Sequence, residues 1–235
     1  MLAFLLAAGS GARLRPITDS VPKCLVPIAG KPLISYTLDL LGLHGVTKVL
    51  INGHHLYEQV AAYLATTQRP FEITVSYEPT LLGSAGTLRA NRQMAINSEE
   101  FIVIYADNLT DANLSQLRAH HRKSGKLATI ALFRTPTPAA CGIVTLDRHG
   151  VVVDFEEKPK DPRSNLAFAG LMAASPAFLD EIPDTVPCDL AHDVLPKLRG
   201  QIGGWEVTGY LRDIGTPESY QRAQVEVPLL YRSSL

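Results

Sequence analysis

The 235-residue chain predicts a doubly wound α/β fold built on a mixed sheet, and three observations support this prediction. Short apolar runs alternate with helix-period patterns through the first 135 residues. The run Phe101–Tyr105 is continuously apolar, which is typical of a central parallel strand. After residue 135 the pattern changes to closely spaced strands. Repeated strand–helix order implies right-handed crossovers, with ligands at the carboxyl ends of the strands.

Apolar periodicity and turn residues predict the elements of the first half. Leu2–Leu6 is a buried strand, and Pro32 is placed to open a helix that Gly42 and Gly45 end. The other predicted elements are strands at Val46–Asn52, Phe71–Tyr77, Phe101–Tyr105 and Leu127–Phe133, and helices at His55–Leu64, Ala85–Ala95 and from a cap at Asp111 to about Ser124.

The second half predicts shorter elements. Gly142–Leu146 and Val151–Glu156 form a hairpin around His149-Gly150. The remaining predictions are strands at Phe168–Ala173 and Trp205–Gly209, helical turns near Pro176–Glu181 and Leu190–Leu198, and a terminal helix capped by Thr216 that ends near Val225. No repeat, low-complexity stretch or linker interrupts the pattern. We therefore expect one domain over residues 1–226 and an apolar tail over 227–235.

Composition excludes several functional classes. The chain is 46% hydrophobic and 19% charged, as expected for a globular protein that buries about 70–75% of its unfolded surface. With 22 basic and 23 acidic side chains, it gives no reason to expect a nucleic acid or a membrane surface as partner. No apolar run approaches the roughly 20 residues that span a bilayer.

The opening segment and the cysteines indicate the compartment. Residues 1–12 lack a basic leader, and their apolar run of about six residues is too short for a signal peptide. Cys24, Cys141 and Cys188 are odd in number and widely spaced. This argues against a disulfide framework or a zinc site and favours a reducing cytoplasm.

The loop after the first strand has the chemistry of an anion site. Gly9 and Gly11 allow backbone N–H groups to converge on an anion. Arginine supplies planar, permanently charged donors that suit phosphate oxygens. Residues 1–31 carry four basic side chains and one acid, a local charge of +3 in a chain of net charge −1. Those side chains are Arg13, Arg15, Lys23, Lys31 and the acid Asp19. Taken alone, the loop also fits a tight turn with solvated arginines.

One carboxylate stands out at the end of a predicted central strand. Asp107 follows Phe101–Tyr105, and a carboxylate there is costly unless it meets a metal or a donor. Mg²⁺ fits, because it takes one or two carboxylates together with substrate phosphates. A turn or a helix cap is the alternative for Asp107. Asp111 is interpreted as a cap and not as a ligand.

Three segments in a fixed order carry a resemblance to a known family. They are Leu6-Ala7-Ala8-Gly9-x-Gly11-x-Arg13-x-Arg15-Pro16, Pro22-Lys23-x-Leu25-x-Pro27 and Gly30-Lys31-Pro32-Leu33-Ile34. Together they resemble the signature of sugar-1-phosphate nucleotidylyltransferases, and they match neither a Walker A motif nor the dinucleotide fingerprint. The resemblance implies the Rossmann-like nucleotide-diphospho-sugar transferase fold. It places nucleotide on residues 1–135 and sugar phosphate on 136–226. No pattern after residue 226 predicts the β-helix domain of longer members.

The resemblance implies a nucleotide site made from two loops. The segment Glu78-Pro79-Thr80-Leu81-Leu82-Gly83-Ser84-Ala85-Gly86 resembles the family's Glu-x-x-x-Leu-Gly-Thr-Ala-Gly, which lies against the base. By itself this segment also fits a glycine-rich helix entry. The implied nucleotide-binding residues are Leu6, Ala7, Ala8, Gly9, Ser10, Gly11, Glu78, Gly83, Ser84 and Ala85.

The resemblance also assigns charged roles. Arg13 would hold the leaving pyrophosphate, and Lys23 would approach the α-phosphate. Asp107 and Asp213 would bind Mg²⁺, although Ala106-Asp107 departs mildly from the family's usual Gly-Asp.

A second motif concerns the sugar phosphate. Phe155-Glu156-Glu157-Lys158-Pro159 resembles the family's Glu-Glu-Lys-Pro, in which Glu157 would accept from sugar hydroxyls and Lys158 would hold the phosphate. A charged turn is the alternative interpretation. Gly142, Asn165 and Gly170 fall where the family lines its sugar pocket.

The implied activity is transfer of a nucleotidyl group from a nucleoside triphosphate to a sugar 1-phosphate, with release of pyrophosphate, in a cytoplasmic enzyme of nucleotide-sugar and surface-polysaccharide biosynthesis. Three segments together resemble guanylyltransferases acting on mannose-type 1-phosphates, namely Arg13-Leu14-Arg15-Pro16, Leu82-Gly83-Ser84-Ala85-Gly86 and His192-Asp193-Val194-Leu195-Pro196. The short chain resembles those for D-glycero-D-manno-heptose 1-phosphate. GTP is the expected donor. Uridylyl or thymidylyl transfer, a cytidylyltransferase and a non-catalytic nucleotide-sugar-binding regulator stay open, as does a homo-oligomer.

The histidines give weaker signals. The pair His192-Asp193 without further ligands is a poor metal site. His54-His55 and His120-His121 are expected at the surface or at caps.

Overall fold

The computed structural model describes residues 1–232, and the strands follow the predicted order. Their bounds are β1 Leu2–Leu6, β2 Pro27–Ile28, β3 Lys31–Pro32, β4 Lys48–Gly53, β5 Glu72–Tyr77, β6 Phe101–Tyr105, β7 Asn108–Thr110, β8 Ala128–Arg134, β9 Gly142–Leu146, β10 Val152–Glu157, β11 Leu166–Ala174, β12 Ile202–Glu206 and β13 Leu211–Asp213.

The helices connect these strands. Their bounds are α1 Leu33–Leu43, α2 Tyr57–Thr66, α3 Ser84–Ala90, α4 Leu114–Ser124 and α5 Pro217–Arg232. Single 3-10 turns occur at Ala12–Leu14, Ile17–Asp19, Lys23–Leu25, Arg92–Met94, Pro138–Ala140, Pro176–Glu181 and Leu195–Lys197, and Leu190–Val194 is a π-helical turn.

The main sheet of the described chain is mixed. Its order is β10-β9-β11-β6-β1-β4-β5, with β8 paired to β11 and β12 paired to β8. β1 lies in the middle and pairs in parallel with β4 and β6, whereas β11 runs antiparallel to β6. The predicted doubly wound α/β fold with a mixed sheet is therefore confirmed. The carboxyl ends of β1, β4 and β6 meet at one edge, where ligands bind in such folds.

Alternating side chains of β1 fill two apolar layers. Phe4 packs in one layer with α3 and the segment around Leu190, and Leu5 packs in the other with α1, α2 and α4. Both side chains are fully buried. Because the sheet is anchored on both faces, the loop that leaves β1 starts from a rigid support.

A third apolar cluster connects the two ends of the chain. Leu14, from the turn after the opening loop, packs with Leu109, Ile214 and Val227. In the same region β13 pairs antiparallel with β7, so that Asp213 lies opposite Asn108. This small sheet, which the sequence analysis did not predict, brings a strand from near residue 210 to the edge beside β6.

Several predicted boundaries differ from the structure. Helix α4 is capped by Asn113, whose side chain accepts from the Gln116 N–H, and the predicted cap at Asp111 is wrong. Asp111 instead accepts from the Tyr210 N–H at 2.6 Å. The last long strand is Ile202–Glu206, not Trp205–Gly209.

Other differences are shifts of helix ends. Helix α3 ends at Ala90 before a 3-10 turn, short of the predicted Ala95, and α5 runs to Arg232 past the predicted end near Val225. The tail predicted over 227–235 thus begins inside α5, with the Val227 side chain buried at 2% exposure. Its last residues, 233–235, lie outside the described part.

The structure shows the state of the three cysteines and the character of the helices. Cys24, Cys141 and Cys188 are free thiols. Through residue 232, the structure contains no helix that is both long and apolar enough to cross a membrane. His121, expected at the surface or at a cap, is instead buried at 5% exposure, so that expectation was wrong.

Candidate active site

The opening loop is held in place at both ends. The Ala7 N–H, directly after β1, donates to Asn52 Oδ1 at 2.7 Å, which ties the loop to the end of β4. Gly11 has φ of 66°, and a Cβ there would lie 2.8 Å from Thr18 Cγ2. Its carbonyl accepts from the Leu14 N–H and from the Thr18 hydroxyl, each at 2.8 Å. Only glycine fits this turn without strain.

Beside this loop, a lysine lies between two carboxylates. Lys23 Nζ is 2.5 Å from Asp107 Oδ2 and 3.8 Å from Asp213 Oδ1. The lysine side chain is 10% exposed, and its ammonium is placed by the 3-10 turn Lys23–Leu25. A buried ammonium is stable only when paired, and these two carboxylates supply the pairing.

Asp213 approaches from the other end of the chain, on β13. Arg13 Nη2 lies 4.0 Å from Asp213 Oδ2. Partial burial and the negative charge of Asp107 raise the pKa of Asp213, whereas Lys23 and Arg13 oppose this change. A carboxylate whose ionisation is made more costly by burial and by a neighbouring carboxylate is a suitable place for added positive charge.

The other two cations of the opening region do not join this group. Arg15 pairs with Asp19 at 3.1 Å, and Lys31 pairs with Asp39. The local charge of +3 counted in the sequence is therefore partly neutralised. Only Arg13 and Lys23 reach the carboxylates Asp107 and Asp213.

Glu78 is a structural anchor of the second loop. It is 1% exposed. Its Oε1 accepts from Asn52 Nδ2 at 2.8 Å and from the Thr87 hydroxyl at 2.5 Å, and its Oε2 accepts from the Leu82 N–H at 3.1 Å. Since Asn52 also holds Ala7, this buried network joins the two loops that the sequence analysis assigned to nucleotide.

The second loop also contacts a distant segment. The Cys188 carbonyl accepts from the Ala85 and Gly86 N–H groups at 3.0 and 3.1 Å. Gly83 has φ of 81°, and a Cβ there would lie 2.3 Å from the Cys188 carbonyl oxygen. The glycine thus permits close approach of the two backbones and also provides the left-handed turn into α3.

A cavity of about 220 Å³ opens between these loops, and we call it the loop cavity. Its wall combines the opening loop, the second loop and the end of β6. Eight of the predicted site residues line it, namely Leu6, Ala7, Ala8, Gly9, Lys23, Gly83, Ser84 and Asp107.

A second cavity of about 230 Å³, the hairpin cavity, lies on the β9–β10 side. Six predicted residues line it, namely Arg13, Asp107, Gly142, Glu157, Gly170 and Asp213. Gly142 leaves room for its neighbours, because a Cβ would lie 2.7 Å from Glu157 Oε2 and 2.8 Å from the Phe155 ring.

Gly170 shapes the floor of the hairpin cavity. It has φ of 63°, and a Cβ would lie 2.4 Å from Asn108 Nδ2 and 3.0 Å from the Tyr105 ring. Asn108 Nδ2 donates to the Ala169 carbonyl at 2.7 Å. The absence of a side chain at Gly170 lets strands β6 and β11 approach closely beneath the cavity.

Six predicted residues lie off the two cavity walls. They are Ser10, Gly11, Glu78, Ala85, Lys158 and Asn165. Lys158 is an exposed residue whose Nζ is 3.4 Å from Glu157 Oε1, and Asn165 accepts from Arg134 Nη1 at 3.2 Å. Lys158 therefore lies beside the hairpin cavity, because its ion-pair partner Glu157 belongs to the wall.

Three polar residues illustrate the part of the walls to which the sequence analysis assigned no role. Asn52 and Asp189 line the loop cavity, and Tyr105 lines both cavities. Asn52 and Tyr105 carried a signal, because each places a polar group at the end of a buried strand. Asp189 carried none, since only folding brings it to Ser84, 105 residues away in the sequence.

The two cavities meet at Asp107 and Tyr105, which belong to both walls. This junction carries two carboxylates, one buried ammonium and one guanidinium. Carboxylate oxygens suit a hard divalent cation, and in the described chain no third carboxylate, histidine or cysteine completes a metal cluster. The arrangement can hold two anionic ligands end to end.

Comparisons with known proteins show the family of this chain. The family model described as Nucleotidyl transferase matches residues 2–228. A Synechocystis UTP--glucose-1-phosphate uridylyltransferase is 34% identical over 84% of this chain and 55% of its own length. A Drosophila melanogaster mannose-1-phosphate guanylyltransferase catalytic subunit beta is 33% identical over 99% of this chain and 63% of its own length. The chain thus spans less than two thirds of these relatives.

The fold is similar to that of solved structures. HddC from Yersinia pseudotuberculosis superposes with a TM-score of 0.82 at 21% identity, over 96% of this chain and 99% of HddC. A structure of HddC complexed with GMP-PN gives a TM-score of 0.81 over the same shares of the two chains.

Proposed function

The chain belongs to the nucleotidyl transferase family, and from this premise we propose that it transfers a nucleotidyl group from a nucleoside triphosphate to a sugar 1-phosphate. The oxygen of the sugar phosphate attacks the α-phosphorus and forms a new P–O bond. The bond between the α-phosphorus and the α,β-bridging oxygen breaks, and pyrophosphate leaves. The loop cavity takes the nucleotide and the hairpin cavity takes the sugar phosphate.

One observation carries this proposal. The Lys23 ammonium lies between Asp107 and Asp213, where the two cavities meet. A sugar 1-phosphate carries close to two negative charges at neutral pH, because its second pKa is about 6. It needs no general base, so the difficulty is to bring it close to a second anion. Catalysis is then mainly positioning and charge neutralisation.

The site fits Mg²⁺, which we propose as the cofactor. Asp107 and Asp213 would hold it, and the raised pKa of Asp213 comes first from burial and then from the negative charge of Asp107, both of which a divalent cation would oppose. When bound, Mg²⁺ supplies charge neutralisation for the nucleotide phosphates. Two carboxylates are the usual protein contribution to a magnesium site whose remaining ligands are water and substrate phosphate.

The chain's own cations have separate tasks in the proposal. Lys23 neutralises the α-phosphate, and Arg13 with the backbone N–H groups of the opening loop holds the leaving pyrophosphate. Lys158 turns from Glu157 toward the hairpin cavity and holds the attacking phosphate. Glu157, on the wall of that cavity, accepts from sugar hydroxyls. Glu78 acts from outside the cavity by fixing both loops.

We propose GTP as the donor and a mannose-type sugar phosphate, mannose 1-phosphate or D-glycero-D-manno-heptose 1-phosphate, as the acceptor. Support comes from the motifs that resemble guanylyltransferases and from the Drosophila relative, a mannose-1-phosphate guanylyltransferase subunit. The uridylyltransferase relative keeps UTP and glucose 1-phosphate as the second candidate pair.

The experiment is a matrix of four nucleoside triphosphates against several sugar 1-phosphates, with Mg²⁺ or with EDTA, read by pyrophosphate release. We expect release with GTP and a mannose-type phosphate and none with EDTA. A best rate with UTP and glucose 1-phosphate would replace the proposed substrates but keep the reaction. Nucleotide binding without pyrophosphate from any pair would contradict the enzyme and indicate a non-catalytic binding protein.

A further inference from the structure

Asp189 is a carboxylate on the cavity wall that neither the motifs nor the charged centre explains. It lines the loop cavity, and Ala191, two residues later, lines the hairpin cavity. Asp189 therefore stands near the junction of the two cavities. Among the described residues it has no lysine, arginine or histidine within ion-pair distance, unlike Asp107 and Asp213.

The carboxylate is fixed in one orientation by its own segment. Its Oδ1 accepts from the Ala191 and His192 N–H groups at 2.9 and 3.2 Å. Its Oδ2 accepts from the Ser84 hydroxyl at 2.7 Å, and Ser84 Oγ in turn accepts from the Leu190 N–H at 2.7 Å. Oδ2 accepts only one bond, so a lone pair is left for a ligand.

The chemistry of the cavity limits what that ligand group can be. A phosphate would be repelled by the uncompensated negative charge, and no metal cluster exists around Asp189 in the described chain. The partner must be a hydrogen-bond donor without negative charge, and the donors that the proposed nucleotide and sugar phosphate offer are neutral hydroxyl and base N–H groups. Asp189 and Tyr105 both line the loop cavity, and the pKa of the Tyr105 phenol is raised mainly by burial and further by the charge of Asp189.

The position of Asp189 in the loop cavity favours one kind of neutral donor. Tyr105 precedes Asp107 by two residues on the same chain segment, so this part of the wall is close to where the phosphates meet. In both proposed substrates the group attached to the reacting phosphate is a sugar ring, ribose or hexose, whereas the nucleobase is one ring further away. Carboxylates are well-known acceptors for ring hydroxyls.

We propose that Asp189, oriented by Ser84, accepts a hydrogen bond from a sugar-ring hydroxyl of a bound substrate and thereby determines specificity. The inference rests on the proposed function, because that function supplies the two ring-bearing phosphates. Loss of one hydrogen bond to a charged acceptor corresponds to roughly a 10- to 100-fold loss in kcat/KM.

The test compares wild type, Asp189→Asn and Asp193→Asn. Asn at 189 keeps an oxygen for the two backbone donors and places an NH₂ group where Oδ2 stands, so it preserves the cap and removes the acceptor. Asp193 is the matched control, because it supports the same segment by accepting from the Asp189 N–H at 2.7 Å and does not line either cavity.

Two arms identify the hydroxyl. One compares GTP with 2′-deoxy-GTP and 3′-deoxy-GTP, and the other compares mannose 1-phosphate with its 2-, 4- and 6-deoxy forms. If UTP and glucose 1-phosphate are preferred, their deoxy counterparts are used. We expect wild type and Asp193→Asn to lose roughly 10- to 100-fold in kcat/KM on one analogue. We expect Asp189→Asn to treat that analogue and its parent nearly alike, with an unchanged Tm.

Three results would contradict the role proposed for Asp189. If wild type and Asp189→Asn discriminate equally in both arms, Asp189 serves only as a helix cap and the inference is wrong. If Asp189→Asn instead changes the preference between GTP and ITP, the partner of Asp189 is an N–H group of the base, which also overturns the inference. If wild type turns over no pair, the proposed function fails, and calorimetric binding of the same compounds tests Asp189. Equal affinities of parent and deoxy compounds for wild type would then overturn the inference.

Discussion

The Lys23 ammonium lies 2.5 Å from Asp107 Oδ2, although 84 residues separate the two in the sequence. Lys23 lies in a 3-10 turn after the opening loop, and Asp107 follows the central strand β6. Their contact defines the junction of the two cavities and supports predictions about catalysis and stability.

Removing the ammonium should abolish most of the activity. We expect Lys23→Ala to lower kcat by roughly 10²–10³, because the variant lacks the cation proposed to neutralise the α-phosphate. Pyrophosphate release under saturating substrates measures the effect. Lys31→Ala is the matched control, since Lys31 pairs with Asp39 outside the site and should keep its rate. A wild-type kcat in Lys23→Ala would remove this lysine from the mechanism.

Asp213 should set the requirement for Mg²⁺. We expect Asp213→Asn to raise the Mg²⁺ concentration for half-maximal rate by about tenfold or more, since one of the two carboxylates proposed as ligands is lost. Rates are measured across a Mg²⁺ titration. Asp180→Asn, which breaks a surface pair with Arg92, should leave the titration unchanged. Identical curves for wild type and Asp213→Asn would contradict the metal assignment.

Gly170 should be intolerant of a side chain. In Gly170→Ala the new Cβ would meet Asn108 Nδ2 at 2.4 Å, so we expect the free energy of unfolding to fall by about 2–4 kcal/mol from backbone strain plus overpacking. Gly200→Ala has a similar φ of 79° with no neighbour within 4 Å, and should lose only about 1 kcal/mol. Urea unfolding measures both variants. Equal losses would show that the contact with Asn108 relaxes freely.

Glu78 should matter for stability as well as for activity. Glu78→Gln places an NH₂ group against at least one of the three donors on Asn52, Leu82 and Thr87. We expect the free energy of unfolding to fall by about 1–3 kcal/mol. Glu72→Gln, at an exposed ion pair with Lys48, is the control with little expected change. Thermal and urea unfolding provide the measurement. A direct contact of Glu78 with a nucleobase would instead leave stability intact and raise KM alone.

Buried His121 should make the fold less stable in mild acid. Burial lowers the pKa of His121 below its ordinary value of 6.5, with a smaller opposing effect from Glu100. The folded state therefore favours the neutral ring. Its contribution is fully present above pH 6.5 and is lost as the pH falls toward the folded pKa. We expect the free energy of unfolding to decline from pH 7 to pH 5, and His121→Gln to flatten part of that decline. Exposed His149→Gln should keep the wild-type slope.

The site features that depend on short stretches of the chain could be predicted from the sequence. The opening loop and the aspartate after β6 each follow the end of a predicted strand, so their positions follow from strand order. Lys23 was found by its motif, because no element was predicted at its position. The strand–helix alternation likewise predicted the doubly wound part of the sheet. Glu78 was found by its motif, but its burial and its three donors come from packing that periodicity does not report.

Contacts between distant parts of the chain could not be predicted from the sequence. The β7–β13 sheet depends on register between strands about 100 residues apart, and neither strand has a strong apolar pattern. The contact of Ser84 with Asp189 depends on the backbone approach that Gly83 permits. The burial of His121 depends on the packing of α4 over β8, which a polar helix face does not reveal.

The pairing of β13 with β7 also has a consequence during synthesis. A growing polypeptide exposes the loop, the lysine and the first aspartate early, yet Asp213 joins them only after strand Leu211–Asp213 has emerged from the ribosome. A nascent chain that still lacks this strand holds Lys23 and Asp107 without Asp213, so the group of two carboxylates and two cations is incomplete until then.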